Sequence, residues 1–383
     1  MIETILLVLL WLMIAFHATG AFLTLCRVVR YKDVFVNLDA DRIAHQPFQP
    51  KISVVVRCGP EETDGAVGKV QELLALNYTR YEVILIVDSA CSRETFGQML
   101  DYFELQPVPV SDELRELRYP TTAVYRSRSR VYGRLTVVDK AFREDDDLRV
   151  TGAAVCKADY MLFIRSLDNE LARNSLARLA IMKMRDPLND ITTIRGVARY
   201  DCGNRWRGNV FRSLTALCNL RRLYITGSIK KNDFGQFMIL EDISGKKGEE
   251  ELVPEPQMFL HRPNHLRTYM LQLAPRIRHK TLRGKLISFM EFLFGVLFWA
   301  SAIHVAVTPG IVNVDFIFLL TILILPLLAS TFSVFVGEIL LKENAKIRFV
   351  VRLLLLSFVE ALLFCLFIPW VWIVTKLFPV RKE

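Results

Sequence analysis

Four acidic residues stand where a side chain can do chemistry. Asp88 closes the apolar run Glu82–Val87, Asp168 follows the run Tyr160–Ile164, and Glu241 and Asp242 follow Phe237–Leu240. Carboxylates in such positions offer oxygen ligands to a hard cation or a base to a reacting hydroxyl. A lone Asp after a strand serves equally well as a helix cap or turn former, and both readings stand at this point. The acidic clusters Glu144–Asp147 and Glu249–Glu251 read as solvated loops. The chain has no GxGxxG, P-loop, HExxH or GxSxG signature. Its seven cysteines (Cys26, Cys58, Cys91, Cys156, Cys202, Cys218 and Cys365) are odd in number and form no CxxC pair. That pattern is neither a disulfide framework nor a zinc site, and it fits buried free thiols in a reducing compartment.

The elements that must position these acids read as a layered α/β domain. Ile52–Val56, Glu82–Val87 and Tyr160–Ile164 are short β-branched or aliphatic runs, which predicts buried strands. Val67–Leu76 and Asn174–Met184 show helical periodicity. Strands alternating with helices predict a mostly parallel sheet, whose ligands bind beyond the carboxyl ends of the strands. Asp88 stands at such an end.

The flanks are different in kind. The whole chain has 383 residues, 52% of them hydrophobic, with 23% charged and a net charge of +9. The aromatic content excludes disorder. Thr4–Leu25 is nearly free of charge, and further apolar stretches cover Leu286–Val307, Val314–Val336 and Phe349–Phe378. Each is long enough to cross a bilayer, which needs about 20 apolar residues. Arg27, Arg30 and Lys32 follow the first stretch, so the positive-inside rule puts the N-terminus outside and the middle of the chain in the cytoplasm. The turn Thr308–Gly310 reads as outside and the loop with Lys342, Lys346, Arg348 and Arg352 as inside. Pro369 in the last stretch suggests a kinked or re-entrant segment. Glu291 and Glu360 fall in apolar segments; Glu360, mid-span, needs a partner or a wet cavity. Between them and the middle domain lies a basic amphipathic stretch with Arg262, Arg267, Arg276, Arg278, Lys280, Arg283 and Lys285, suited to the lipid headgroup interface. Basic residues beside membrane segments account for the positive charge, so nucleic acid is not an expected partner.

This layout resembles the membrane-bound family 2 glycosyltransferases, which include chitooligosaccharide, hyaluronan, poly-N-acetylglucosamine and cellulose synthases. Asn77–Ile84 is similar to the family's "YPxYEVI" segment, and Val87–Thr95 lies where the family has "VDDGSxDxT". Asp88 and Thr95 fit that motif, while its second and third acids are Ser89 and Arg93. Val137–Lys140 resembles the strand before "GGKxxALN", although Asp145, Leu148 and Val150 replace that motif's Lys, Ala and Asn. Ser166–Asp168 stands at the DxD position with one carboxylate left. Thr226–Ser228 resembles the mid-domain glycine turn, Glu241–Asp242 the acceptor-site "ED", and Pro275–His279 the "QRxRW" motif with both arginines kept.

The resemblance implies a GT-A-like α/β domain at 48–260, an N-terminal membrane helix at 1–30, an interfacial segment at 261–285 and about three membrane helices at 286–380. It implies an inverting transfer of a sugar from a nucleotide sugar, most simply a UDP-sugar, at the cytosolic face of the inner membrane. Asp88 would meet the nucleotide, Asp168 a Mg²⁺ or Mn²⁺ ion with the diphosphate, Arg276 and Arg278 the diphosphate, and Asp242 beside Glu241 would serve as the base. Membrane lipids, a glycan or lipid acceptor and partner subunits complete the expected partners. Because the departures fall on polar site residues while the strand and helix pattern persists, a second reading stands beside the first: a catalytically impaired relative acting as scaffold or regulatory subunit of an envelope polysaccharide complex.

Overall fold

A run such as Ile-Ser-Val-Val-Val leaves no polar face to water, and strands of this kind persist only when covered on both sides. A computed structural model of the chain builds its central sheet from them. It describes residues 40–59, 65–91, 93–143, 147–186, 188–200, 237–243, 248–260, 282–307, 314–336 and 347–377, with scattered residues between 8 and 29 and between 210 and 217. The chain divides into two units, one of Asn37–Arg199 with Asn232–Arg262, the other of Met1–Val36, Tyr200–Lys231 and Pro263–Glu383.

The first unit holds a short helix α1 (Ala40–Ile43), then β1 (Ile52–Cys58), α2 (Ala66–Leu74), β2 (Tyr81–Val87), α3 (Arg93–Tyr102), β3 (Leu105–Val108), α4 (Asp112–Arg115), β4 (Ala123–Ser127) and β5 (Leu135–Asp139). It continues with α5 (Leu148–Val155), β6 (Tyr160–Ile164), β7 (Glu170–Leu171), α6 (Ser175–Met184), β8 (Ile191–Tyr200), β9 (Phe237–Asp242) and β10 (Glu249–Leu260). The ten described strands form one sheet in the order β3-β4-β5-β2-β1-β6-β9-β8-β10-β7. The expected parallel sheet is its centre: β5, β2, β1 and β6 run parallel, with Val55 paired to Ile84 on one side and to Phe163 on the other. On the flanks the pairs β3–β4, β4–β5, β6–β9 and β8–β9 are antiparallel, so the sheet as a whole is mixed.

From β1 the chain moves outward through β2 to β5, and α5 then returns it to the opposite side of β1 as β6. The order therefore reverses between β1 and β6, and that switch point is where an open α/β sheet leaves a crevice at its carboxyl edge. Helix α5 makes the return tightly. A Cβ on Gly152 would stand 2.7 Å from Cγ1 of Val55, so the absent side chain lets the helix settle on β1. Val55, Ile84, Ile86, Val138, Leu148, Met161 and Phe163 fill the interface between α5 and the sheet.

The second unit contains α7 (Leu282–Val307), α8 (Val314–Val334) and α9 (Ile347–Leu377) at the three expected places. Helix α9 continues through Pro369, so the last stretch is one helix. Gly295 of α7 makes room for it, since a Cβ there would fall 2.5 Å from Cγ of Pro369. Trp299 donates its indole N–H to the Leu366 carbonyl at 3.1 Å. Glu360 is fully buried, and the hydroxyl of Ser330 on α8 donates to its Oε2 at 2.7 Å. Its expected partner is thus an interhelical hydrogen bond. Arg352, expected in a basic loop, is inside α9 and buried. Among the described residues one helix, Val350–Val374, is long and apolar enough to cross a membrane. Phe292–His304 and Leu323–Val334 are shorter apolar stretches. The described residues of the N-terminal segment are helical.

Candidate functional site

Parallel strands bring their following loops to one edge, so β1, β2, β5 and β6 deliver Cys58, Asp88, Asp139 and the Ser166–Asp168 turn together. Asp88 and Asp168, both expected at a ligand site, share this edge. β2 and β6 are two strand spacings apart, about 10 Å.

Asp88 is 6% exposed and its carboxylate is taken up by backbone. Oδ1 accepts from the N–H groups of Ala90 at 3.1 Å and Cys91 at 3.3 Å, and Oδ2 accepts from the N–H of Phe142 at 2.9 Å. Burial works against its charge, but the Phe142 N–H, the Cys91 thiol and the N–H groups of Cys91 and Ala90 outweigh it and hold the carboxyl below its usual range. The reciprocal contact comes from Asp139, whose two oxygens accept from Ser89 N–H at 2.9 Å and Ser89 Oγ at 2.8 Å. The loops after β2 and β5 are therefore stitched in both directions. This explains why Ser stands at position 89: its hydroxyl donates to Asp139, whereas an ionised Asp would only repel it.

Beside them, Lys140 is 1% exposed, and its ammonium donates to Thr151 Oγ1 of α5 at 2.6 Å. Asp147 caps the start of α5 and grips Arg149 through Nε at 3.0 Å and Nη2 at 2.8 Å. The side chains of Asp139 and Lys140 were legible only as the end of an apolar run.

Asp168 has a different partner. Its carboxylate is ion-paired and hydrogen-bonded to the ammonium of Lys69, with the two side chains 34% and 32% exposed. Lys69 lies in the first turn of α2, after the left-handed N-cap Gly65. A cation there faces the positive end of the helix dipole, which Asp168 offsets. Together they border a cavity of about 580 Å³ whose polar wall includes Glu72, Asn169, Glu170 and Arg173. Asn169 is 6% exposed, and its Oδ1 has no hydrogen-bond partner among the described residues. The cavity is of the size that takes a drug-sized or nucleotide-sized ligand.

No family model matches the chain, and no curated protein matches it. Among solved structures, the mannosyltransferase PcManGT from Pyrobaculum calidifontis, in complex with GDP-Man and Mn²⁺, is similar at 14% identity and a TM-score of 0.40. That match covers 97% of this chain and 100% of the other. S. aureus TarS 1–349 in complex with UDP-GlcNAc is similar at 9% identity and a TM-score of 0.33, over 85% of this chain and 92% of the other.

The expected acceptor-site pair does not join the edge. β9 runs antiparallel to β6, with Asp242 opposite Tyr160 and Glu241 opposite Met161. Both acids therefore flank the amino-terminal start of β6. Along the strand alone, at 3.3 Å per residue, the position of Asp242 is about 13 Å and that of Glu241 about 10 Å from its carboxyl end. Glu241 is 3.8 Å from Nη1 of Arg149, an ion pair beside α5. This register does not bring Asp242 and Glu241 to the edge that carries Asp88 and Asp168. Arg276 and Arg278 lie outside the described residues, as do Thr226–Ser228 and Pro275–His279.

A divalent cation is the group expected at Asp168. Such an ion takes oxygen ligands, with one or two carboxylates plus phosphates and water. Asp88 and Asp139 are committed to backbone and Ser89, and Asp168 already holds an ammonium. Among the described residues no group of three His, Cys, Asp or Glu side chains is placed to hold a metal. These residues do not fit the ion.

Proposed function

We propose that the chain is a membrane-anchored nucleotide-sugar-binding protein of the glycosyltransferase type, serving polysaccharide or glycolipid synthesis at the cytosolic face of the inner membrane. The observation that carries this reading is the pairing of Asp88 and Asp168 on one carboxyl edge, across the switch point of a four-stranded parallel core. The motif matches over Asn77–Thr95 and Ser166–Asp168 support it. A multi-pass anchor is supported by α7, α8 and α9, which bury Ser330, Ser333, Ser357 and Glu360 and leave Leu328, Leu355 and Phe358 on the outside. That inside-out distribution suits lipid. The purified full chain in detergent is expected to bind UDP or GDP by calorimetry; no binding of either nucleotide, with or without Mn²⁺, removes this reading.

A specific observation favours the second reading, in which the protein binds a nucleotide sugar but acts as a scaffold or regulatory subunit. Asp242, the residue expected as base, lies at the end of β6 away from Asp88 and Asp168. Donor hydrolysis and transfer to a glycan or lipid acceptor separate the two. Turnover that survives in Asp242→Ala would assign the base elsewhere, and binding without turnover favours the scaffold.

A further inference from the structure

At Asp168 the family resemblance would put a divalent cation, and an ammonium is there instead. Lys69 arrives from α2, the element that follows β1, and Asp168 from the turn that follows β6, so the pair straddles the switch point. An ammonium carries three donors, and a single bond to Asp168 leaves donors over. Lys69 is about one-third exposed and forms part of the cavity wall, so an anion can reach it from solvent. A divalent cation would have to approach this carboxylate against a like charge that already neutralises it.

We infer that Lys69 takes the cation's place: its ammonium meets the diphosphate of a nucleoside-diphosphate ligand, Asp168 holds that ammonium in position, and binding needs no metal. The inference rests on the nucleotide-binding reading above. Lys69 is then a binding residue and Asp168 a positioning residue. Their charges make opposite contributions to anion affinity: the amide of Asp168→Asn keeps an oxygen that holds the ammonium in position but removes the charge that masks it.

The test is calorimetry of UDP and GDP on the full chain in detergent, once with EDTA and once with Mn²⁺. The expected result is binding in EDTA that Mn²⁺ leaves essentially unchanged. Lys69→Gln should weaken it about tenfold, the loss expected for one charge-assisted hydrogen bond. Lys69→Arg should retain it, and Asp168→Asn should bind as tightly as the parent or tighter. Circular dichroism checks that each variant folds; if Lys69→Gln does not, the sign of the Asp168→Asn effect decides. Binding that requires Mn²⁺ and is lost in Asp168→Asn, with Lys69→Gln unaffected, overturns the inference and leaves the nucleotide site standing. Absence of binding in both conditions overturns the underlying reading and the inference with it.

Discussion

Asp88 accepts from the N–H groups of Ala90, Cys91 and Phe142, and truncating it removes an acceptor from each. Asp88→Ala is expected to cost about 1 kcal/mol in a thermal or denaturant melt, the net loss for partly buried hydrogen bonds that water can replace in part. Its pH dependence has a definite sign. The folded carboxyl is held below the ordinary value of 3.8, so its stabilising contribution is complete above that value. The contribution is lost as pH falls through the lower folded value, and an acid titration of Asp88→Asn should be correspondingly flatter than that of the parent. Cys156 offers a second check at this scale. Burial pushes its thiol up to about 12, with Ser53 and Lys51 pulling back and Glu82 adding to the rise. At pH 8 about one molecule in ten thousand carries the thiolate, so alkylation followed by mass spectrometry should find Cys156 unmodified until the protein unfolds. Asp88 was legible in the sequence because a strand end announces itself. Lys69 was not, because its partner is 99 residues away and helical periodicity says which face a residue occupies, never what faces it.

At the scale of elements, the seat of α5 on β1 is the contact most exposed to a single change. The Cβ of Gly152→Ala would meet Val55 at 2.7 Å, which demands a shift of the helix or of the valine. Overpacking of this kind costs about 1–3 kcal/mol. The double variant Gly152→Ala with Val55→Ala should recover part of that loss, because the second change removes the atoms that the first would strike. Additive losses in chemical denaturation would show that the two positions do not meet. Since α5 carries Thr151 to the Lys140 ammonium, the single change should also disturb the carboxyl edge. The strands themselves were legible from β-branched runs that are buried on both faces. The direction of β9 was not. Phe237–Leu240 reads as a strand and Glu241–Asp242 as its acidic end, but only pairing with β6 reveals that this end lies beside Tyr160. An apolar run has no polarity along the chain, so a site residue at its end can belong to either edge of the sheet.

For the whole molecule, the distribution of polarity supports the proposed membrane anchor. Leu355 is 62% exposed and Phe358 51% on α9, while Ser357 and Glu360 of the same helix are buried. In water such a bundle would be upside down, since large apolar side chains would cover the surface and a carboxylate the interior. In lipid it would be the right way round, with the Ser330–Glu360 bond as a polar contact between helices. The long apolar stretches that pull up the hydrophobic fraction were legible from composition; which of their faces pack together was not, because lipid and protein interior accept the same residues. The two solvents predict opposite outcomes for one substitution. Leu355→Arg on a water-exposed face would leave the fold intact and raise solubility. On a lipid-exposed face it would place a charge five residues inside the start of Val350–Val374, at an insertion cost somewhat below the roughly 3 kcal/mol of an arginine at a helix centre. The expected result is that the parent chain stays with membranes through alkaline carbonate extraction and that Leu355→Arg shifts into the extracted or degraded fraction. Ser357→Ala, buried in the same helix, should be retained like the parent, because it leaves the lipid-facing surface as it was. Full retention of Leu355→Arg would mean that α9 does not meet lipid at this position.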